Sequence, residues 1–198
     1  ATETAPVTAV NTPIDYKAGT VGRFMPAMQH RLEPVDGIED AGKLHVNGPN
    51  VMLGYLLADN PGQLVPTESI YGKGWYDTGD IVNVDGDGFI TIKGRSKRFA
   101  KIGGEMISLT VVEQIAAKAW PDGLHAVVSL ADAKKGEQII LLTTNKKANL
   151  SDLTAVATGI AQIGLPKKLL IVDAIPVMAT GKINYPAVTE LATQKLVG

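Results

Sequence analysis

The sequence contains no cysteine. This absence excludes disulfide frameworks, thiolate catalysis and cysteine-based zinc sites, and it suits an intracellular protein. Long hydrophobic runs are also missing, because the longest apolar stretch, residues 51–58, is interrupted by Gly54 and falls far short of the roughly 20 residues that a membrane-spanning helix needs. No signal peptide opens the chain. We therefore expect a soluble, cytoplasmic module.

The chain has little net charge, since its 19 basic residues nearly cancel its 20 acidic ones. The densest basic group is the loose cluster at residues 93–98, so we expect no general nucleic-acid surface. A hydrophobic content of 45% over 198 residues is ordinary for one large or two modest globular domains. Any basic function must therefore be local.

The first half of the chain consists of short apolar segments separated by glycine and proline, a pattern typical of all-β or barrel-like structure. The segment Asp85-Gly86-Asp87-Gly88 lies between two of these apolar segments and supplies residues that tolerate positive φ. It therefore predicts a tight hairpin turn. The predicted strands are residues 19–23, 30–34, 42–46, 75–84 and 89–93.

After Arg95 the hydrophobic period becomes helical. Apolar residues from Leu109 to Ala119 predict a helix, with Thr110 and Glu113 as a capping box. The later predicted elements are strands at 125–130, 138–144 and 168–172, a helix whose apolar face runs over 153–163 and ends at Gly164, and a last helix from near 186. The chain is thus predicted to be α+β, with a β-rich, barrel-like subdomain at residues 1–94 and a small α/β domain at residues 95–198.

Two familiar ligand motifs are incomplete. Gly72-Lys73-Gly74 lacks the spacing of a phosphate-binding P-loop. The residues from Asn83 to Gly88 resemble the start of a calcium loop, but Gly94 occupies the position that requires a bidentate glutamate, so a hairpin turn is the better interpretation. The three histidines are widely separated and have no carboxylate at ligand or triad spacing, so we interpret them as structural.

Four short patches occur in a fixed order: Thr2-Glu3, Tyr76-Asp77-Thr78-Gly79-Asp80, Gly94-Arg95-Ser96-Lys97 and Thr180-Gly181-Lys182. Alone, each is a weak signal, and Thr-Gly-Lys in particular is common in surface turns. Together they resemble the motifs of the adenylate-forming superfamily, which includes acyl-CoA synthetases, nonribosomal-peptide adenylation domains and luciferases. Within it, the chain is most similar to the acyl–acyl-carrier-protein synthetase half of 2-acylglycerophosphoethanolamine acyltransferases. The resemblance implies the C-terminal part of a longer protein.

The resemblance assigns a nucleotide and metal site to the first half of the chain and to the residues just after it. Asp80 is expected to accept hydrogen bonds from the ribose hydroxyls of ATP, and Arg95 to reach the ribose and phosphates. Thr2 and Lys101 are expected to contact the nucleotide as well. Glu3 is the expected ligand of Mg²⁺, a hard cation that prefers carboxylate oxygen. Without the other motifs, Thr2-Glu3 would be read as a frayed terminus.

The resemblance also assigns the moving parts of the reaction. Lys182 is expected to be the catalytic lysine of adenylation, which stabilises the charge that develops on the carboxylate and the α-phosphate. Lys97 falls at the hinge about which the C-terminal domain turns, although by itself it reads as an exposed lysine. Gly103 and Gly104 lie in a hairpin that resembles the wall of the phosphopantetheine tunnel, and a purely structural hairpin explains them almost equally well.

The activity implied by the resemblance is that of an ATP- and Mg²⁺-dependent fatty acid ligase. A fatty acid reacts with ATP to give an acyl-adenylate, and the acyl group then passes to acyl carrier protein and on to a lysophospholipid. This role implies a cytoplasmic enzyme whose longer form works at the cytoplasmic face of the inner membrane. One alternative is a fatty acyl-CoA synthetase with coenzyme A as the thiol. Another is that the chain alone is a non-catalytic module that docks a carrier protein or a nucleotide.

Overall fold

The computed structural model describes residues 1–134, 136–158 and 160–197, which pack into two compact units. The first unit is Ala1–Lys97, and the second begins at Arg98. The sequence predicts the division slightly earlier, between residues 94 and 95. The structure places the division inside a short 3₁₀ turn, Ser96–Arg98, because Arg98 makes its side-chain contacts within the second unit.

The first unit is built from ten strands. Its main sheet is antiparallel and has the order β10-β9-β4-β3, while β1 with β2, β5 with β6 and β7 with β8 form three two-stranded ribbons. The strands are β1 (Ala9–Val10), β2 (Arg23–Phe24), β3 (Gln29–Val35), β4 (Ile38–Asn47), β5 (Tyr55–Leu56), β6 (Leu64–Val65), β7 (Glu68–Ser69), β8 (Gly72–Lys73), β9 (Tyr76–Val84) and β10 (Ile90–Arg95).

The main sheet buries one apolar face. Leu44 and Val46 on β4, Val82 on β9 and Ile90 on β10 form its buried cluster, as expected when alternate residues of a strand point to the same face. Among the described residues these four strands form an open sheet and do not close into a barrel, so the β-rich prediction is confirmed without its barrel-like closure.

Most strand predictions in the first unit are confirmed, and one is wrong. The Asp85–Gly88 turn joins β9 to β10, and Asp85 Oδ1 accepts hydrogen bonds from the amides of Asp87 at 3.0 Å and Phe89 at 2.9 Å. The strand predicted at 19–23 is absent except for Arg23, because a turn at Ala18–Gly19 opens this segment and both Gly19 and Gly22 adopt positive φ.

The second unit is a mixed sheet with helices on both faces. Its strand order is β12-β11-β14-β13, and β15 pairs in parallel with β14. The elements are β11 (Phe99–Ile102), β12 (Glu105–Ser108), α1 (Leu109–Ala119), β13 (His125–Asp132), β14 (Gly136–Thr143), α2 (Leu150–Val156), β15 (Lys168–Ile171) and α3 (Tyr185–Val197).

Residues of β14 supply both cores of the second unit. Ile139 and Leu141 pack in the cluster that contains residues of α1 and α2, whereas Ile140 and Leu142 pack in the cluster that contains residues of α3. A strand segment covered on both faces needs apolar residues at successive positions, which explains the unbroken run from Ile139 to Leu142. The α/β prediction for this part of the chain is confirmed.

Two helix predictions need correction. The N-cap of α1 is Ser108, whose Oγ accepts a hydrogen bond from the Val111 amide at 3.4 Å, so the predicted Thr110–Glu113 capping box is wrong. Glu113 is instead engaged by groups outside the helix. The predicted second helix is broken, because α2 ends at Val156 and, among the residues described between there and the next strand, the helical structure is a 3₁₀ turn, Gln162–Gly164. Over the described part of the chain, no helix is long and apolar enough to cross a membrane.

Candidate functional site

The Tyr76–Asp80 motif shapes the start of β9 through its own short side chains. Asp77 Oδ1 accepts a hydrogen bond from the amide of Gly79 at 2.9 Å, and Gly79 has a positive φ of 70°. The buried Thr78 hydroxyl accepts from the Asp80 amide at 3.1 Å and donates to the Leu44 carbonyl at 2.9 Å. A glycine is favoured at such a φ, and the flanking hydroxyl and carboxylate replace the strand bonds that the distortion removes. The motif thereby fixes the backbone that carries Asp80.

Asp80 and Arg95 form the central pair of the site. They are register partners on β9 and β10, and Arg95 Nε lies 3.1 Å from Asp80 Oδ1. Arg95 Nη1 also donates to the Thr78 carbonyl at 2.6 Å. A register shift between Ile92 and Gly94 precedes this pairing. The structure thus brings Asp80 and Arg95 into direct contact, so that one carboxylate faces one forked cation.

The environment of Asp80 disfavours its charge. Burial raises the pKa of Asp80, and the nearby Arg95 guanidinium opposes that rise. Asp80 also lines a cleft of about 290 Å³ whose walls include Thr8, Phe24, Thr78 and Val82. A half-buried carboxylate at the wall of a cleft keeps acceptor oxygens for ligand donors, which is the chemistry needed to hold a pair of hydroxyls.

Glu3 belongs to a second polar group in the same unit. It lies in the 3₁₀ turn Thr2–Thr4, and its Oε1 accepts a hydrogen bond from the Tyr55 hydroxyl at 3.3 Å. A backbone hydrogen bond is the largest cause that lowers the pKa of Glu3, and hydrogen bonds from Tyr76 and Tyr55 add to it. Burial and Glu3 raise the pKa of Tyr76. Glu3 is therefore an ionised carboxylate held by two phenols.

The tyrosines around Glu3 were missed by the sequence interpretation. Tyr76 is the first residue of the Tyr76–Asp80 motif, and its hydroxyl hydrogen-bonds the Glu3 carboxylate. Tyr55, on the short strand β5, carries no sequence signal of its own. Thr2 is exposed on the same turn as Glu3, and its carbonyl accepts the Ala5 amide at 3.3 Å.

The predicted tunnel residues form a tight hairpin in the second unit. Gly103 and Gly104 join β11 to β12 and have positive φ values of 60° and 96°, which is the signature of a two-residue hairpin turn. A Cβ on Gly103 would lie 3.1 Å from Ile163 Cδ1, whereas one on Gly104 would meet no atom within 4 Å. Lys101, on β11, donates its amide to Glu137 Oε2 at 2.5 Å and pairs with Met106.

Lys182 lies in a separate exposed loop between β15 and α3. An isolated bridge joins Val177 to Ile183, the Met178 amide donates to the Lys182 carbonyl at 2.7 Å, and the Gly181 amide donates to the Met178 carbonyl at 2.8 Å. The loop is thus a small hairpin that presents Lys182 near its tip. Lys97 is exposed in the 3₁₀ turn Ser96–Arg98, at the end of the first unit.

The site residues therefore fall into two sets. Thr2, Glu3, Asp80 and Arg95 belong to the first unit, and Lys101, Gly103, Gly104 and Lys182 to the second. Within the described ranges, no three histidine, aspartate or glutamate side chains form a group able to hold a metal ion on their own. A divalent ion at Glu3 would need most of its ligands from elsewhere.

No family model matches the chain, but individual relatives do. It is 30% identical over 204 residues to indoleacetate–CoA ligase of Aromatoleum aromaticum, a match that covers 98% of this chain and 39% of that protein. It is 32% identical to the mitochondrial medium-chain acyl-CoA ligase of Mus musculus, covering 98% and 33%, and 30% identical to long-chain-fatty-acid–CoA ligase of Salmonella typhimurium, covering 92% and 33%. The chain thus spans a third to two fifths of the length of these relatives.

Solved structures show the same fold. The o-succinylbenzoate CoA synthetase of Bacillus subtilis, in complex with its acyl-adenylate intermediate, superposes with a TM-score of 0.75 at 25% identity, over 92% of this chain and 38% of the synthetase. ATP-bound MatB from Rhodopseudomonas palustris gives a TM-score of 0.65 at 26% identity, over 87% and 35%. By sequence and by fold, this chain belongs to the adenylate-forming superfamily, and the relatives that it matches there are CoA ligases.

Proposed function

We propose that this chain is the C-terminal part of an ATP-dependent acid–thiol ligase, here called the parent ligase. The observation that carries the proposal is the contact between Asp80 and Arg95, 3.1 Å apart on adjacent strands and beside a cleft. A carboxylate and a guanidinium in this arrangement offer acceptors to ribose hydroxyls and a permanent positive charge to phosphate oxygens. The ATP- and acyl-adenylate-bound states of the structural neighbours support a nucleotide at this site.

The reaction has two half-reactions. In the first, a carboxylate oxygen of the acid attacks the α-phosphorus of ATP, the bond to the β-phosphate bridging oxygen breaks, and pyrophosphate leaves. In the second, a thiol sulfur attacks the acyl carbon, its proton passes to solvent, and AMP leaves as the thioester forms. Protein contributes to the first step chiefly by placing charge, and Lys182 is the proposed compact cation against the acid and α-phosphate oxygens.

Glu3 fits magnesium as a single ligand. Its carboxylate is ionised and hydrogen-bonded by Tyr55, and Mg²⁺ in nucleotide sites is commonly held by one or two carboxylates together with substrate phosphates and water. The ion supplies charge neutralisation on the phosphates when ATP is bound. The exposed Thr2 hydroxyl is the proposed neighbouring phosphate contact, and Lys101 is a proposed further nucleotide contact.

The two half-reactions use different parts of the second unit. Lys182 is proposed to serve adenylation, and the Gly103–Gly104 turn to line the path of a phosphopantetheine arm during thioester formation. Lys97 is the proposed hinge, since an exposed residue in a one-turn segment between two compact units can change φ and ψ without disturbing a core.

The acyl acceptor is proposed to be a phosphopantetheine thiol. Acyl carrier protein and coenzyme A share that arm, and the relatives, which are CoA ligases, favour coenzyme A. The motif resemblance favours a fatty acid as substrate and carrier protein as acceptor, with onward transfer to a lysophospholipid. That onward transfer would place the parent ligase at the cytoplasmic face of the inner membrane.

Pyrophosphate exchange tests the proposal. The parent ligase should exchange labelled pyrophosphate into ATP only when a carboxylic acid is present, and Asp80→Ala should abolish the exchange. Absence of acid-dependent exchange across short-, medium-, long-chain and aryl acids would refute it. Comparing kcat/KM for thioester formation with coenzyme A and with holo-acyl carrier protein then identifies the acceptor. The 198-residue chain alone should give no exchange above the no-enzyme blank, because preorganising ATP and acid needs further groups.

A further inference from the structure

The Glu113 carboxylate on α1 accepts hydrogen bonds from three different parts of the second unit. Its Oε1 accepts from Arg98 Nη2 at 2.7 Å and from the Val127 amide at 2.8 Å, and its Oε2 accepts from the Tyr185 hydroxyl at 3.1 Å. The side chains of Arg98 and Glu113 are only 13% and 15% exposed. A largely buried carboxylate destabilises the fold unless each of its oxygens accepts a hydrogen bond. Both oxygens of Glu113 do so.

Arg98 holds Tyr185 from a second direction. Its guanidinium carbon lies 3.7 Å from the centroid of the Tyr185 ring, and its Nη1 donates to the Val127 carbonyl at 2.8 Å. Burial and the Glu113 carboxylate raise the pKa of Tyr185, so the hydroxyl keeps its proton and remains a donor. Tyr185 is therefore fixed at its face by a cation and at its hydroxyl by a carboxylate.

Tyr185 lies at the base of the loop that carries Lys182. It is the first residue of α3, and the preceding Asn184 donates its amide to the Pro176 carbonyl at 2.9 Å, which closes the base of the loop. The next pair outward is the bridge between Val177 and Ile183, and beyond it the Met178 amide bonds to the Lys182 carbonyl.

The tip of this loop has little packing of its own. Val177 and Met178 are 52% and 44% exposed, and Lys182 is exposed as well. An exposed hairpin of this size takes its direction from its base, because its tip buries too little surface to hold a position. The position of the Lys182 ammonium group therefore depends on how firmly Tyr185 is held.

We infer that Glu113 is a positioning residue for Lys182, and that it acts through Tyr185 together with Arg98. The inference rests on the adenylation role proposed above for Lys182. Because Arg98 directly follows Lys97 in the chain, the same three side chains also join the residue after the proposed hinge to the base of the catalytic loop. Adenylation needs Lys182 in place, whereas thioester formation from a ready-made acyl-adenylate does not.

The test separates the two half-reactions in the parent ligase. Tyr185→Phe removes one hydroxyl and leaves the ring beneath Arg98, and Glu113→Ala removes the whole carboxylate. We expect kcat of pyrophosphate exchange to fall by about ten- to hundredfold in both variants, since a misplacement near 1 Å has a cost of that order. KM for ATP and thioester formation from supplied acyl-adenylate should stay within about twofold, and Glu113→Gln should recover part of the exchange.

Glu190→Ala is the matched control, because Glu190 is an exposed glutamate on α3 whose Oε1 accepts a hydrogen bond from Gln194 Nε2 at 3.3 Å. Equal losses in both half-reactions, accompanied by a lower melting temperature, would reduce Glu113 to a structural role, and unchanged exchange in folded Tyr185→Phe would refute the path through Tyr185. Lys182→Ala is measured in parallel. If it leaves exchange intact, the proposed role of Lys182 fails first, and the positioning role fails with it.

Discussion

Arg95 reaches across from β10 to hold Asp80 on β9, with Nε 3.1 Å from Oδ1, yet the two side chains differ greatly in exposure. The Arg95 side chain is 63% exposed and the Asp80 side chain 26% exposed. An exposed cation compensates a buried anion only partly, because solvent screens the pair from one side. This imbalance explains why burial outweighs Arg95 and the pKa of Asp80 is raised. Asp80 is thus retained at a cost to folding, which is consistent with its proposed ligand-binding role.

Asp80→Asn should therefore stabilise the first unit at neutral pH. There the carboxylate is ionised in both the folded and the unfolded chain, so the folded state carries the full cost of the buried charge. The cost shrinks as the pH falls through the raised folded-state pKa, and it vanishes below the unfolded-state value, where both forms are protonated. We expect a gain of up to about 1 kcal/mol in the free energy of unfolding near pH 7, which fades below about pH 4.

Urea titration of the 198-residue chain at several pH values measures this gain. Trp75 reports on the first unit when the only other tryptophan is removed as Trp120→Phe. Asp87→Asn is the matched control, because Asp87 is exposed in the β9–β10 turn. A loss of stability in Asp80→Asn at pH 7 would show that the bond to Arg95 outweighs the burial of the charge.

The sequence predicts those parts of the structure that depend on local pattern. The Asp85–Gly88 turn is set by residues that tolerate positive φ, and the β13 and β14 strands are set by apolar runs, so both are read correctly. Glu113 shows where local reading fails. Its spacing from Thr110 imitates a capping box, but Arg98, Tyr185 and the Val127 amide engage its carboxylate, and these partners lie 14 to 72 residues away.

The candidate site, like the fold, could be predicted only in part from the sequence. The family resemblance assigns Asp80 and Arg95 separately to the nucleotide, and the strand register brings the two residues into contact. Nothing in the sequence indicates Tyr55, which reaches Glu3 from 52 residues away. Contacts of this kind depend on the tertiary packing of the short two-stranded ribbons. No periodic pattern in the sequence reveals that packing.

Lys182→Ala in the parent ligase should separate the half-reactions more sharply than any other substitution. Removal of one preorganised charge from the developing transition state should lower adenylation by about two to three decades, while transfer from a supplied acyl-adenylate persists. Pyrophosphate exchange and single-turnover thioester formation are the two readouts. Lys118→Ala, an exposed lysine at the end of α1, should change neither. An equal loss in both half-reactions would contradict the assigned role.

Lys97→Pro should restrict the proposed hinge. Proline fixes φ near −65° and removes an amide donor, so one arrangement of the two units should be favoured over the other. The adenylation and thioester rates of the parent ligase should therefore change by different factors. Lys97→Ala, which leaves the backbone free, serves as the comparison and should stay near the unmodified rates. A common factor in both rates, with a lowered melting temperature, would indicate simple destabilisation.

Gly104 gives the sharpest test of the phosphopantetheine path. A Cβ at this position would meet no atom within 4 Å, so there is room for a side chain in the folded unit. However, its φ of 96° is a conformation that L-residues rarely adopt, and a leucine there would combine a blocked path with backbone strain of about 1–2 kcal/mol. Asparagine tolerates positive φ better than most residues that have a side chain. Gly104→Asn therefore adds bulk at this position and keeps the backbone strain small.

In the parent ligase, Gly104→Asn should leave pyrophosphate exchange nearly unchanged and lower thioester formation by about tenfold or more, because in the proposed mechanism only the second half-reaction brings a slender arm past the turn. Gly62→Asn is the matched control, since Gly62 also has a positive φ of 83° and open space around its Cβ direction but lies in a turn of the first unit. Raising the thiol concentration discriminates further, because an obstructed path raises KM for the thiol, whereas a disturbed acyl-adenylate lowers kcat at saturation. Normal transfer by a folded Gly104→Asn enzyme would leave the hairpin as scaffold only.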